Sequence, residues 1–297
     1  MTDTELTFVA LGLAALAVLA AWAVGLLLAR LWRAAASHLP ATLGRVAEQR
    51  HLARVRDGAR DRFPVTYRFL ADRLRTDRFT GLPLTLVVAA AAYLAALLGG
   101  LVEELLEADE IGAVDAAIND AFASYRVSPL IEIVRWFTNL GDSAAVTAVA
   151  FVVTGFLWVF GGRRIILPLW VTVLGAILST WAGKFAFDRP RPDFVTGVTA
   201  LSASFPSAHA TGAIAVYGFI AYVIARGLRS GRARFEILFW SGALIAVIAL
   251  SRMFLSVHFA SDVAAGLLVG GFWLLAGIAL TELRRRGEPW APRPGAD

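Results

Sequence analysis

Apolar runs of about 18 residues or more recur along the whole chain, at 7–29, 84–102, 143–160, 165–182, 207–225, 236–252 and 262–281. A helical run of that length matches the hydrocarbon core of a bilayer, where a segment must satisfy its own backbone hydrogen bonds. The chain is therefore expected to fold as an all-α, polytopic membrane helical bundle. Composition agrees, with 58% of the 297 residues hydrophobic and 17% charged. The first run is too long for a signal-peptide core and is preceded by acidic residues, so it reads as a retained span. There is no cysteine, which excludes disulfides, thiol chemistry and cysteine-based metal sites.

Charge then sets the orientation. Residues 32–82 carry eleven arginines against five acidic side chains, whereas 103–128 carry seven acidic side chains and one arginine. Further arginines gather at 163–164, 226–234 and 284–286. With seven spans, each of these arginine clusters falls on one side, which is the cytoplasmic side of a cell (inner) membrane. The N-terminus is then outside and the C-terminus inside. The net charge of +5 is a consequence of this topology. No nucleic-acid partner is implied, and membrane lipids are the expected surroundings. Residues 32–82 read as an inside loop, helical in part, with a solvated or headgroup-touching face. Residues 111–141, broken by Pro129 and Gly141, are expected as helices lying at the interface.

Three polar clusters interrupt the apolar sequence, and this topology brings all of them to the outer face. The first is KFAFDRPRP, with Lys184 and Arg191; the second is Pro206-Ser207-Ala208-His209; the third holds Arg252, His258 and Asp262. Lys184 stands alone among 27 arginines. Arg191 lies between two prolines in a segment that cannot continue a helix, and Arg189, in the same Arg-Pro context, competes for its role. Ser207 is a favoured N-cap, which would leave the N–H groups of Ala208 and His209 facing an anion. His258 and Asp262 are four residues apart, so on a helix they share a face. A carboxylate on one imidazole nitrogen fixes the tautomer and makes the other nitrogen more nucleophilic.

Each feature alone has an ordinary explanation: a snorkelling lysine, a headgroup contact, a helix cap, a His–Asp tie. Together they suit a phosphoryl group. Cations and N–H groups would hold the non-bridging oxygens, one histidine would attack phosphorus and the other would protonate the leaving oxygen. No Asp/Glu/His cluster has the spacing of a metal cage, so neither a metal nor another cofactor is expected.

In this order, Lys-x6-Arg-Pro, Pro-Ser-x-His and Ser-Arg-x5-His-x3-Asp resemble the type 2 phosphatidic acid phosphatase superfamily, over residues 84–281. The resemblance implies a six-span phosphatase core, a site shared with vanadium haloperoxidases, and metal-independent hydrolysis through a phosphohistidine. Carried over by position, His258 is the nucleophile, Asp262 its orienting partner, and His209 the acid and later the base. Lys184, Arg191, Ser207 and Arg252 bind the phosphate, beside the N–H of Ala208. Ala208 stands where the family usually has glycine. The expected layout is an extra N-terminal span and basic cytoplasmic loop (1–82), the core (83–283) and a cytoplasmic tail (284–297). The expected substrate is a lipid phosphate or diphosphate: undecaprenyl diphosphate first, then phosphatidylglycerophosphate or phosphatidate. The alternatives are a lipid phosphotransferase and, more distantly, a proton-coupled transporter. The latter is disfavoured because the charges gather at one end of the spans.

Overall fold

A computed structural model describes residues 2–47, 60–76, 78–107, 110–193, 195–198 and 201–285. All regular elements among these residues are helices: α1 (Asp3–Ala47), α2 (Pro64–Arg73), α3 (Leu82–Glu107), α4 (Glu110–Ala123), α5 (Ser128–Asn139), α6 (Ser143–Val159), α7 (Arg163–Phe187), α8 (Ala208–Gly227), α9 (Gly231–Phe254) and α10 (Ala260–Arg284). Six of them are long and apolar enough to cross a membrane. The pair α5–α6 passes the same test jointly, bent by 42° at its break, and makes a seventh span if counted as one. The protein is a polytopic helical membrane bundle.

The chain divides into two compact units. The smaller, residues 16–87 among those described, holds most of α1, all of α2 and the start of α3. Here α1 runs to Ala47, well past the last apolar residue of its run at 29. Hydropathy marks where the lipid ends, not where the helix ends, and the alanines that follow are strong helix formers. Helix α2 opens with Pro64, which has no N–H to lose in the first turn.

The larger unit, residues 1–15 and 88–286, carries the polar clusters. Helix α8 is its centre, packed against α7, α9 and α10. The approach of α10 to α8 is possible only because α10 has Gly266 and Gly270 one turn apart. A Cβ on Gly270 would lie 2.4 Å from the Thr211 carbonyl oxygen, and one on Gly266 would lie 2.6 Å from that of Ser207. Small residues at this spacing let two backbones meet within a bilayer. The N-terminal ends of α8 and α10 are thereby brought side by side. Below them, Val146, Ala150, Leu169, Val173, Val216 and Phe219 form a buried apolar layer between α6, α7 and α8.

Helices α4 and α5 do not lie apart from the bundle. Leu130 packs with Phe254, Leu255 and Val257 in the turn from α9 to α10, and Phe122, Ile131 and Val134 join them. Pro129 starts α5 instead of breaking it, whereas Gly141 does mark the bend between α5 and α6.

Candidate active site

Helix α7 carries Lys184 in its last turn and stops at Asp188, whose φ of 39° is left-handed. Arg189-Pro190-Arg191-Pro192 then runs without helical structure, as the two prolines dictate. Arg189 and Arg191 here reach opposite sides of the same His–Asp pair.

On one side, Arg191 extends into a cavity of about 200 Å³ whose lining includes Lys184, Arg191, Ala208, His209, Arg252 and His258. The Arg191 guanidinium donates to the carbonyls of Ser202 (2.8 Å) and Val257 (2.6 Å), and its Nη1 lies 3.1 Å from His258 Nε2. Arginine has only donors, so Nε2 must be the acceptor and the ring proton must sit on Nδ1. That nitrogen faces Asp262 Oδ2 at 3.4 Å. The tautomer therefore leaves the Nε2 lone pair on the cavity side. Burial, above all, lowers the His258 pKa from 6.5 to about 4, with Arg191 and Arg252 adding to the shift and the Asp262 hydrogen bond opposing it. The imidazole is thus neutral near pH 7.

The His–Asp contact does not arise from a shared helical face. His258 precedes α10, whose N-cap is Phe259, and Asp262 is the third residue of the helix. Asp262 Oδ2 also accepts the Phe259 N–H at 2.9 Å, so the carboxylate caps α10 while it faces the imidazole. The spacing of four fits this cap as well as it would fit a helix.

On the other side, Arg189 donates from Nη1 to Asp262 Oδ1 (2.7 Å) and Ser261 Oγ (2.7 Å), and from Nη2 to Asp115 Oδ2 (2.9 Å). Its guanidinium also lies over the Phe259 ring, 4.3 Å from the centroid. Arg189 therefore does not compete with Arg191 for the cavity, which it does not line.

Lys184 is buried at the cavity, its Nζ donating to the Ala203 carbonyl. Arg252 is buried in the last turn of α9, and its Nη1 donates to Thr138 Oγ1 at 2.8 Å. Ala208 and His209 open α8, and Ala208 has no positive φ, so alanine is unstrained where glycine was expected. Ser207 occupies the N-cap position, yet its side chain makes no cap hydrogen bond. Its N–H is bound instead by the Asp262 carbonyl at 3.0 Å, which ties the starts of α8 and α10 together. Ser207 is fully buried just behind the cavity wall that Ala208 and His209 form. Among the described residues, the buried side-chain polar atoms with no hydrogen-bond partner are Ser207 Oγ and Arg252 Nε. Both belong to the set expected to bind phosphate.

Three contributors were not legible as site residues. Thr138 on α5 holds Arg252, and Gly141 lies so close that a Cβ there would be 3.3 Å from the His209 ring and 2.4 Å from Ile248. Asp115 on α4 is buried behind the His–Asp pair. All three lie in 111–141, where amphipathic character alone indicated an interfacial stretch.

Residues 164–286 match the family model described as PAP2 superfamily. That segment, residues 164–286, carries the PAP2 superfamily pattern. All eight residues of the expected site fall within the matched PAP2 segment, and Asp115, Thr138 and Gly141 fall before it. Phosphatidylglycerophosphatase B of Bacillus subtilis (strain 168) is 28% identical over 179 residues, covering 56% of this chain and 82% of that protein. The crystal structure of a transmembrane PAP2-type phosphatidylglycerolphosphate phosphatase from Bacillus subtilis superposes with a TM-score of 0.60 at 25% identity. The match covers 68% of this chain and 98% of that one. LpxE of Aquifex aeolicus matches with a TM-score of 0.43 at 23% identity, over 56% of this chain and 93% of that one.

Proposed function

We propose that this protein hydrolyses a lipid phosphate through a phosphohistidine on His258. The observation that carries the proposal is the cavity itself, where the unprotonated Nε2 of His258 meets three cations, Lys184, Arg191 and Arg252, and a second histidine. Nε2 attacks phosphorus as the bond to the lipid oxygen breaks, and His209 gives that oxygen its proton. The Nδ1 proton stays on His258 against Asp262, and the ring carries positive charge. Water, giving its proton to His209, then attacks phosphorus and restores the imidazole. The cations, with the Ala208 N–H and the Ser207 hydroxyl, hold the non-bridging oxygens as charge builds. A donor set of cations supplies what a metal would supply to a phosphoryl group, which supports a metal-independent reaction.

The substrate's apolar part belongs in the same cavity. Below the charged end, the lining runs down α7 from Lys184 to Val173, roughly 16 Å at the helical rise, and includes Val146, Ala176, Ile177 and Val216. The two Bacillus subtilis phosphatases named above favour phosphatidylglycerophosphate as substrate ahead of undecaprenyl diphosphate and phosphatidate. The arginine distribution supports a site on the outer (periplasmic or extracellular) face of the cell membrane, an outside N-terminus and a cytoplasmic C-terminus. In this reading residues 83–283 form the catalytic core, 1–82 an accessory span and basic cytoplasmic loop, and 284–297 a cytoplasmic tail.

The test is phosphate release by the purified protein in detergent with EDTA, from each of the three lipids, beside a His258→Ala control. Release that survives EDTA and is lost in the variant is the expected result. Wild-type protein that releases little free phosphate but moves the phosphoryl group onto an added acceptor alcohol would be a phosphotransferase.

A further inference from the structure

Asp115 is a carboxylate with 2% exposure on a helix outside the matched family segment, and its contacts all lead to the nucleophile's partner. We propose that Asp115 and Arg189 are positioning residues that hold Asp262 in the orientation His258 needs. The inference rests on the reading of His258 as nucleophile.

The contacts form a continuous line. Asp115 Oδ1 accepts the Ser261 N–H at 2.9 Å, and Oδ2 accepts from Ser261 Oγ at 2.5 Å and from Arg189 at 2.9 Å. One carboxylate on α4 therefore caps the first turn of α10 and clamps Arg189. Arg189 in turn binds Oδ1 of Asp262, with Ser204 Oγ at 3.5 Å from the same oxygen. The Oδ2 atom is left to the Phe259 N–H and His258 Nδ1. With Oδ1 held, rotation of the carboxylate away from the imidazole would break a buried ion pair, and Asp262 is fully buried.

Charge gives Asp115 a second task. Arg189 alone would neutralise Asp262, which must balance the positive charge that develops on the phosphorylated imidazole. A second carboxylate on Arg189 leaves a net charge of −1 on the Asp115–Arg189–Asp262 group, facing His258 through Asp262. The pairing also explains how a guanidinium so near the nucleophile is compatible with nucleophilic attack.

The test uses full-length protein in detergent, with kcat and KM per folded molecule on phosphatidylglycerophosphate, or on whichever lipid the wild type hydrolyses fastest. Asp115→Asn keeps the shape and one acceptor for the Ser261 N–H, but removes the charge and puts an NH2 where Arg189 and the Ser261 hydroxyl donate. It is expected to lower kcat about 10-fold, the scale seen for groups that orient a first ligand, with KM little changed. Arg189→Lys keeps one charge but cannot span both carboxylates, and its kcat should also fall. The pair Asp115→Asn with Arg189→Met removes one charge of each sign and keeps the net −1 on Asp262, but takes the guanidinium off its Oδ1; kcat per folded molecule should stay low. Wild-type kcat in the folded double variant, or losses in every variant that track the folded fraction alone, would overturn the proposal.

A second readout does not depend on turnover. In ¹⁵N-histidine spectra, assigned with His258→Ala, the wild-type His258 should show a single Nδ1–H tautomer, and the double variant a mixture. An unchanged tautomer in the double variant would overturn the positioning role even if activity fell. Loss of the proposed function itself would look different: no phosphate release from wild-type protein, with the tautomer still responding to Asp115 and Arg189.

Discussion

The two sides of His258 are built in opposite ways. Behind it, Asp262, Arg189, Asp115 and Ser261 are joined by hydrogen bonds from end to end, with no buried polar atom unpaired among them. In front of it, positive charge accumulates, and in and behind the cavity wall two buried polar atoms, Arg252 Nε and Ser207 Oγ, have no partner among the described residues. Leaving such atoms unpaired is costly in a closed protein. A saturated network holds a shape, whereas an unsaturated one of a single charge sign is arranged for a guest of the opposite sign. The cost of assembling like charges in front of His258 is thus an indication of what the site accepts.

Several changes would break or sharpen this contrast. The largest effect is expected from His209→Ala on the natural lipid ester, on the order of 100- to 10,000-fold in kcat. An activated aryl phosphate, whose leaving oxygen needs no proton, should lose far less, and equal losses on both would remove the acid role. Next come Lys184→Ala and Arg252→Ala, each expected to reduce kcat on the order of 100-fold or more while the protein stays folded. Wild-type rates in both would take them out of the site.

Thr138→Val separates α5 from Arg252 without changing size much. Steady-state kinetics should show a loss of roughly 10-fold in kcat/KM, because a hydrogen bond to a buried charged group is lost. The smallest signal is in the pH profile. Since burial lowers the His258 pKa, the imidazole stays unprotonated down to about pH 4. Corrected for titration of the substrate phosphate, kcat/KM should therefore show no acid limb near 6.5. A limb at 6.5 would mean that His258 titrates as an exposed imidazole.

How much of this was legible follows the same division. The front of the site could be read from sequence, because Lys184, Arg191, His209, Arg252 and His258 sit at fixed spacings along the chain and the loop charges independently gathered them at one face. The rear could not. Asp115 lies 147 residues before Asp262 in the numbering of the chain, and nothing in its own stretch, EIGAVDAAINDAFA, distinguishes it from the other acidic residues nearby. Only the docking of α4 and α5 on the α9–α10 turn gives it a role. Arg189 was visible, but as a rival to Arg191, because the sequence shows the repeated Arg-Pro and not the direction of either side chain. The His258–Asp262 pair was found for a reason that proved incomplete, since a helix cap and a helical face both use a spacing of four. Hydropathy located the spans but not the full length of α1, since an arginine ends an apolar run without ending a helix.

Capture of the covalent intermediate tests the role of His258 most directly. Protein mixed with lipid bearing a labelled phosphate would be quenched in alkali within the first turnover and mapped for acid-labile label. Label is expected on His258 in the wild type and none in His258→Ala. Label that persists in His258→Ala, or turnover in the wild type with no label at any time, would contradict that role.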